Sequence, residues 1–316
     1  MKRSFIISLL VLIWFNSCSE KIDPTLLYLG DSERIMKIEN VMEEPLGQGK
    51  AEYVYDNNNR LINASLKFEG ELGTSSYHYN YSYGNKKIFI TGSIKIAPSS
   101  DEVMNTNRDV DIELILNNEG KVTRKIDRKH PYNSEPVIDN FIWDGSKLMK
   151  VERTIKGVRE VDFLETLEQY YEGDNIVMQI VKTKSMGITS IMQGNDTTNY
   201  TYSLGDKNIQ APIYKLASLR LDDIRTFAAY SSDVCISNRE RKYTSIRNRE
   251  TDNIEKEIIY KSDYDIVFLY EGRSQYVKTI EKANSSTLIK SSNDSTENHS
   301  LSTRSNSIFY YRGDLK

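Results

Sequence analysis

Residues 53–68 read YVYDNNNRLINASLKF: a short alternating aromatic run, a polar stretch, then a second alternating run. Tyr53, Val54 and Tyr55 are aromatic or β-branched, the residue types that fit a pleated, half-buried surface. Asp56 to Asn59 can cap a turn with their own side chains and tolerate positive φ. Alternation resumes at Leu61, so the stretch is predicted to be a β-hairpin. The same order recurs along the chain. Tyr81-Ser82-Tyr83 precedes GNKKIFI, Leu114-Ile115-Leu116 precedes NNEGKVT, and Phe141-Ile142-Trp143 precedes DGSKLMK. Tyr170-Tyr171 precedes EGDNIVM, Tyr200-Thr201-Tyr202 precedes SLGDKNI, and Phe268-Leu269-Tyr270 precedes EGRSQYV. The first six anchors, at 55, 83, 116, 143, 171 and 202, stand 27 to 33 residues apart. At that period each unit buries its face only by packing on its neighbours.

The chain is therefore expected to be mainly all-β: a long, twisted antiparallel sheet of repeated β-hairpins over residues 33–283. In PIYKLASLRLDDIRTFAAYS, residues 212–231, apolar residues fall near helical spacing, predicting one short amphipathic helical element near 213–230 that caps the sheet. Residues 284–307, rich in Ser, Thr and Asn, are expected to be flexible, and residues 308–316 to offer a last strand. Tyr77, Tyr79, Tyr81 and Tyr83 in YHYNYSY share one strand face. They are the candidate ligand-facing aromatics, a stacking platform for a sugar. Cross-strand aromatic pairing, worth about 0.2–1 kcal/mol per pair, is the stronger account, because every copy sets its anchor at the same point before the turn.

Lys2 and Arg3 precede an apolar run from Phe5 to Phe15, too short to span a bilayer as a helix and right for a signal-peptide core. FNSCSE follows, and Ser17-Cys18 resembles the lipobox of bacterial lipoproteins, in a loose form familiar among Bacteroidota. The resemblance implies a signal peptide over residues 1–17, acylation of Cys18 with palmitate-like chains, and a tether over residues 18–32. It also implies an outer-membrane address, surface-exposed or periplasm-facing. At about 0.8 kcal/mol per buried methylene, two or three acyl chains make a lasting anchor. Y-x-Y-D-x-x-N-R-L at Tyr53–Leu61 resembles the YD repeat of Rhs-type and teneurin-type β-sheet proteins, and weaker versions occur in Bacteroidota lipoproteins. Later copies keep the aromatic and the turn and lose the Arg, so no encapsulating shell is expected.

Losing residues 1–17 removes Lys2 and Arg3 and no acid, moving the net charge from −3 to −5; that balance does not favour nucleic acid. With Cys18 acylated, Cys235 has no partner for a disulfide and is expected to be a buried strand residue. No HExxH, GxSxG or phosphate-binding loop occurs, and adjacent Asp222 and Asp223 diverge on a helix. No catalytic residue, metal or cofactor is expected. Asp196-Thr197-Thr198 and Asp294-Ser295-Thr296 resemble O-glycosylation acceptors of Bacteroidota envelope proteins, implying Thr197 and Ser295 as acceptors in loops or tail. The expected function is non-enzymatic: an envelope binding or interaction module for a glycan or protein partner, its oligomeric state open. A carbohydrate-active hydrolase and a purely structural envelope protein are the alternatives.

Overall fold

In this computed structural model the structure describes residues 35–42, 47–70, 73–98, 106–130, 135–158, 161–173, 175–186, 190–202, 236–249, 253–270, 277–292 and 295–311, with side chains placed for most of those before 200. All regular elements among them are strands: β1 (Ile35–Met42), β2 (Gln48–Tyr55), β3 (Leu61–Gly70), β4 (Gly73–Gly84), β5 (Lys87–Pro98), β6 (Thr106–Leu116), β7 (Val122–Asp127) and β8 (Val137–Asp144). They continue as β9 (Lys147–Val158), β10 (Val161–Glu172), β11 (Asn175–Met186), β12 (Ser190–Tyr202), β13 (Ile236–Arg249), β14 (Asn253–Tyr270), β15 (Val277–Ser292) and β16 (Ser295–Tyr311). Each strand pairs antiparallel with the next in sequence, and β16 pairs back onto β1 through Ile35↔Tyr311 and Ile38↔Phe309. The expected sheet of hairpins is thus present, closed into a barrel.

Two expectations of order change. Residues 284–292 and 295–307 belong to β15 and β16, which match residue for residue from Thr279↔Ile308 to Ser292↔Ser295. Ser and Thr there read as a solvated tail, but the closing sheet pairs their backbone, β15 with both β14 and β16, and β16 with β15 and, from Ser305 on, with β1 as well. Thr197 lies inside β12 opposite Ile180, and Ser295 opens β16, where loops or tail were expected. The helical element near 213–230, Cys235, and the signal peptide and tether with Cys18 lie outside the described residues.

Every anchor sits at or within one residue of the end of an even-numbered strand, so all share one rim of the barrel. Asp56 Oδ1 accepts hydrogen bonds from the amides of Asn58 and Arg60, and Asn117 Oδ1 does the same for Glu119 and Lys121. The left-handed residue of these two turns is Asn59 (φ 65°) in one and Gly120 (φ 74°) in the other, as such turns require. Past most turns the returning strand carries one extra residue, Ile62, Thr123, Met149 and Val177 among them, shifting the register. Two residues then oppose one, a β-bulge.

A recurring clasp ties each hairpin to the next. The Arg60 guanidinium lies 4.7 Å from the Tyr83 ring centroid, whose hydroxyl donates to Leu61 O at 2.5 Å. Lys121 Nζ lies 5.9 Å from the Trp143 ring, and the indole N–H donates to Val122 O at 2.7 Å. Lys147 Nζ lies 5.5 Å from the Tyr171 ring, whose hydroxyl donates to Leu148 O at 2.9 Å. Lys121 and Lys147 also donate to the carbonyls of Gly145 and Gly173 in the following turn. The Arg of the first copy is therefore replaced by Lys in its geometric role. Burial pushes Tyr171 up to about 12 and Tyr83 upward too, so both phenols remain donors.

Alternate side chains of a barrel strand point inward and outward. Tyr53, Ala64, Tyr79, Ile88, Ile112 and Leu114 are almost wholly buried, which only the inward face of a single-layered wall can provide. A round barrel of sixteen strands encloses water; the buried cluster running from β1 to β11 means this part of the interior is filled. The outward face carries ion pairs instead: Lys50–Glu52, Lys67–Glu69, Lys150–Glu152 and Lys182–Glu168.

Candidate functional site

The inner wall changes character along the sheet. From β2 to β6 it is mainly apolar and aromatic; from β7 polar groups join the apolar ones, with Lys125, Asp127, Asp139, Arg153, Gln169, Gln179, Asp196 and Thr198 all buried beside Val137, Val151 and Leu167. The register explains how these meet. Leu114 pairs with Lys125, Lys125 with Asp139, Asp139 with Arg153, and Arg153 with Glu165, so one row crosses five strands on a single face. Asp139 Oδ2 accepts from Lys125 Nζ at 3.0 Å and from Arg153 Nη2 at 2.9 Å, while Oδ1 accepts from Arg153 Nε at 2.7 Å. Arg153 Nη1 reaches Glu165 Oε2 at 3.3 Å. The Lys125 and Asp139 side chains are each 1% exposed.

Burial alone would push the Asp139 carboxyl up; the charges and hydrogen bonds of Lys125 and Arg153 outweigh it and hold the group at about 2. His130, just past the end of β7 and within the field of the same charges, is driven down to about 4 by burial and then by Arg153, Lys125 and Arg108. Asp127 goes the other way: burial raises it, against Lys125, with one oxygen accepting from the Lys129 amide. A carboxylate clamped by two cations does not shuttle protons near neutral pH, so the row fits a fixed internal brace. Among the described residues no three His, Cys, Asp or Glu side chains are grouped to hold a metal.

The candidate aromatic platform lies on the apolar part of this wall. Tyr79 is 0% exposed and Tyr81 is buried, with Tyr77 and Tyr83 packed against the same core. The Tyr77 and Tyr79 rings stand 6.5 Å apart, and Ala64 and Gly92 flank Tyr79 on the neighbouring strands. Their rings meet protein, which supports the packing account. His78, between them in sequence, is exposed on the opposite face near Asn63. Sequence reasoning missed the ion row altogether. Its only trace is a single charged residue among the otherwise apolar alternate positions of β8 and β9, Asp139 between Val137 and Phe141 and Arg153 after Val151.

No family model matches the chain, and no curated protein matches it. Among solved structures it resembles a porin-like protein from Bacteroides uniformis, with 13% identity and a TM-score of 0.47, covering 87% of this chain and 96% of that one. It also resembles a porin-like protein from Bacteroides vulgatus, with 11% identity and a TM-score of 0.32, covering 88% of this chain and 98% of that one.

Proposed function

We propose that the protein is a non-enzymatic cell-envelope lipoprotein whose barrel stands in water, held to the outer membrane by acylated Cys18, and serves as a binding or interaction module for a glycan or protein partner. The observation that carries this reading is the outward face of the wall. Lys50, Lys67 and Lys182 are at least half exposed there and paired with Glu52, Glu69 and Glu168. In a membrane barrel the outward band is apolar, and each Lys or Arg on it costs about 2–4 kcal/mol at the midplane. Here the order is reversed, with apolar side chains packed inside around one buried ion row and exposed ion pairs outside. A barrel of that kind is a water-soluble body, and the lipobox gives it a way to stay at a membrane.

Fractionation of cells carrying the wild type and Cys18→Ala tests the proposal, together with protease treatment of intact cells. The wild type is expected in the membrane fraction and the variant, still folded, in the soluble fraction without detergent. A Cys18→Ala protein that stays membrane-bound and needs detergent would overturn both the anchor and the soluble barrel. Cleavage on intact cells places the partner outside the cell; protection places it in the periplasm. Crosslinking in native envelopes that recovers no specific glycan or protein would remove the binding role.

A further inference from the structure

We propose that the rim bearing the repeated turns is the membrane-facing end of the barrel and seats on the lipid surface through a band of outward apolar side chains; this rests on the lipoprotein reading above. The topology fixes the geometry. Even-numbered strands end at the rim of the turns and odd-numbered strands begin there, so β1 enters the barrel at that rim through Ile35, beside Tyr311. The chain between Cys18 and the barrel therefore arrives on the same side as the turns. Fully extended, residues 19–34 reach on the order of 50 Å. A tether of that length does not by itself set which end faces the membrane, so the surface must.

That surface is uneven. Six large apolar side chains are exposed among the described residues, and four of them, Val54, Ile62, Ile142 and Tyr170, lie on the outer face at the level of the turns. Val54, Ile142 and Tyr170 each precede an anchor by one residue, and Ile62 is the bulged residue that shares a register position with Val54. The other two, Ile96 and Leu164, lie toward the opposite rim. Singly exposed apolar residues are ordinary, but these share one level because the repeat places them there. At about 3.3 Å per residue and a strand tilt near 40°, the band stands roughly 6–9 Å behind the turn tips. Apolar surfaces that lie on a bilayer sink about 5–10 Å into the headgroup boundary. Two residues farther from the turns come Glu52 and Glu168, charged groups that stop deeper entry, while Lys150 stands opposite Ile142 at the level of the band itself.

The test uses the acylated full-length protein on vesicles of phosphatidylethanolamine and phosphatidylglycerol that carry nitroxide-labelled lipid. A fluorophore is placed in the turn rim by Ser146→Cys or near the opposite rim by Thr74→Cys, both in a Cys235→Ser background whose strand content is checked by circular dichroism. Several-fold stronger quenching at position 146 than at 74 is expected. Val54→Ser/Ile142→Ser/Tyr170→Ser should abolish that difference without detaching the protein, and Leu164→Ser should leave it intact. Equal quenching at the two positions, or stronger quenching at 74, in protein that still floats with the vesicles overturns the seating alone. Failure of the acylated wild type to float overturns the anchor and the seating with it. A photocrosslinker at 146 that captures a protein in native envelopes, with no quenching in pure lipid, gives the band to a protein partner and overturns the lipid assignment.

Discussion

Asp139 holds two cations on a carboxylate that water scarcely reaches, so its removal strands both of them. Asp139→Ala is expected to lower the unfolding free energy by about 3–5 kcal/mol, the range for breaking a buried pair from one side, read from urea unfolding. The same row makes stability fall with acid. The folded value of His130, about 4, lies below the unfolded value of roughly 6.5. The unfolded chain therefore takes the proton first, and stability drops as pH falls through that window. Asp139, at about 2 against an unfolded value of roughly 3.9, extends the loss to lower pH, while Asp127, raised by burial, works against it. His130→Gln should flatten the slope of urea midpoint against pH between about 6.5 and 4; an unchanged slope would move the effect elsewhere. None of this was legible at the residue scale. Period-two alternation assigns Lys125 and Asp139 to one face of their strands, but strand by strand a charged residue reads as outward. Only the register shows that the charges complement one another across the barrel wall.

The hairpin is the element the sequence spelled most clearly, because turn chemistry is local: Asp56 and Asn117 each hold a turn with their own side chains. The clasp between hairpins was half legible. Aromatic anchors stood out, whereas Lys121 and Lys147 could not be matched with Arg60 until both were seen above the next hairpin's ring. Tyr171→Phe should cost about 0.5–1.5 kcal/mol for the lost hydrogen bond to Leu148. A double-mutant cycle of Lys147→Ala with Tyr171→Leu should show a coupling of about 0.5–1 kcal/mol, and a coupling near zero would demote the clasp to proximity. Gly92 has a different constraint. A Cβ there would stand 1.8 Å from the His78 carbonyl oxygen, so β4 and β5 must move apart to admit it. Gly92→Ala is expected to destabilise by at least the roughly 1–3 kcal/mol typical of overpacking, with loss of tyrosine near-ultraviolet dichroism because Tyr79 lies directly opposite.

At the scale of the whole molecule, the proposed reading of a barrel standing in water, with the interior from β1 to β11 filled, implies a body that does not conduct. Protein added to a planar lipid bilayer should produce no conductance steps, while stepwise currents would refute the soluble-barrel reading. Closure of the sheet was not legible, since nothing local in IMKIENVM announces that its partner is SIFYY near the other end of the chain. That seam has a kinetic consequence. Fifteen of the sixteen strand junctions join neighbours in sequence and can form as the chain emerges; the β1–β16 junction spans nearly its full length. Closing so long a loop adds entropy cost only slowly with length, yet nothing rewards it until the far end arrives. The first strand must therefore wait through the making of all the others with one edge unpaired, exposed to the edge of any similar chain nearby. A stop codon before Ser295 would leave that wait without an end, so the truncated chain should assemble edge to edge into dimers or larger species, not fold as a smaller monomer.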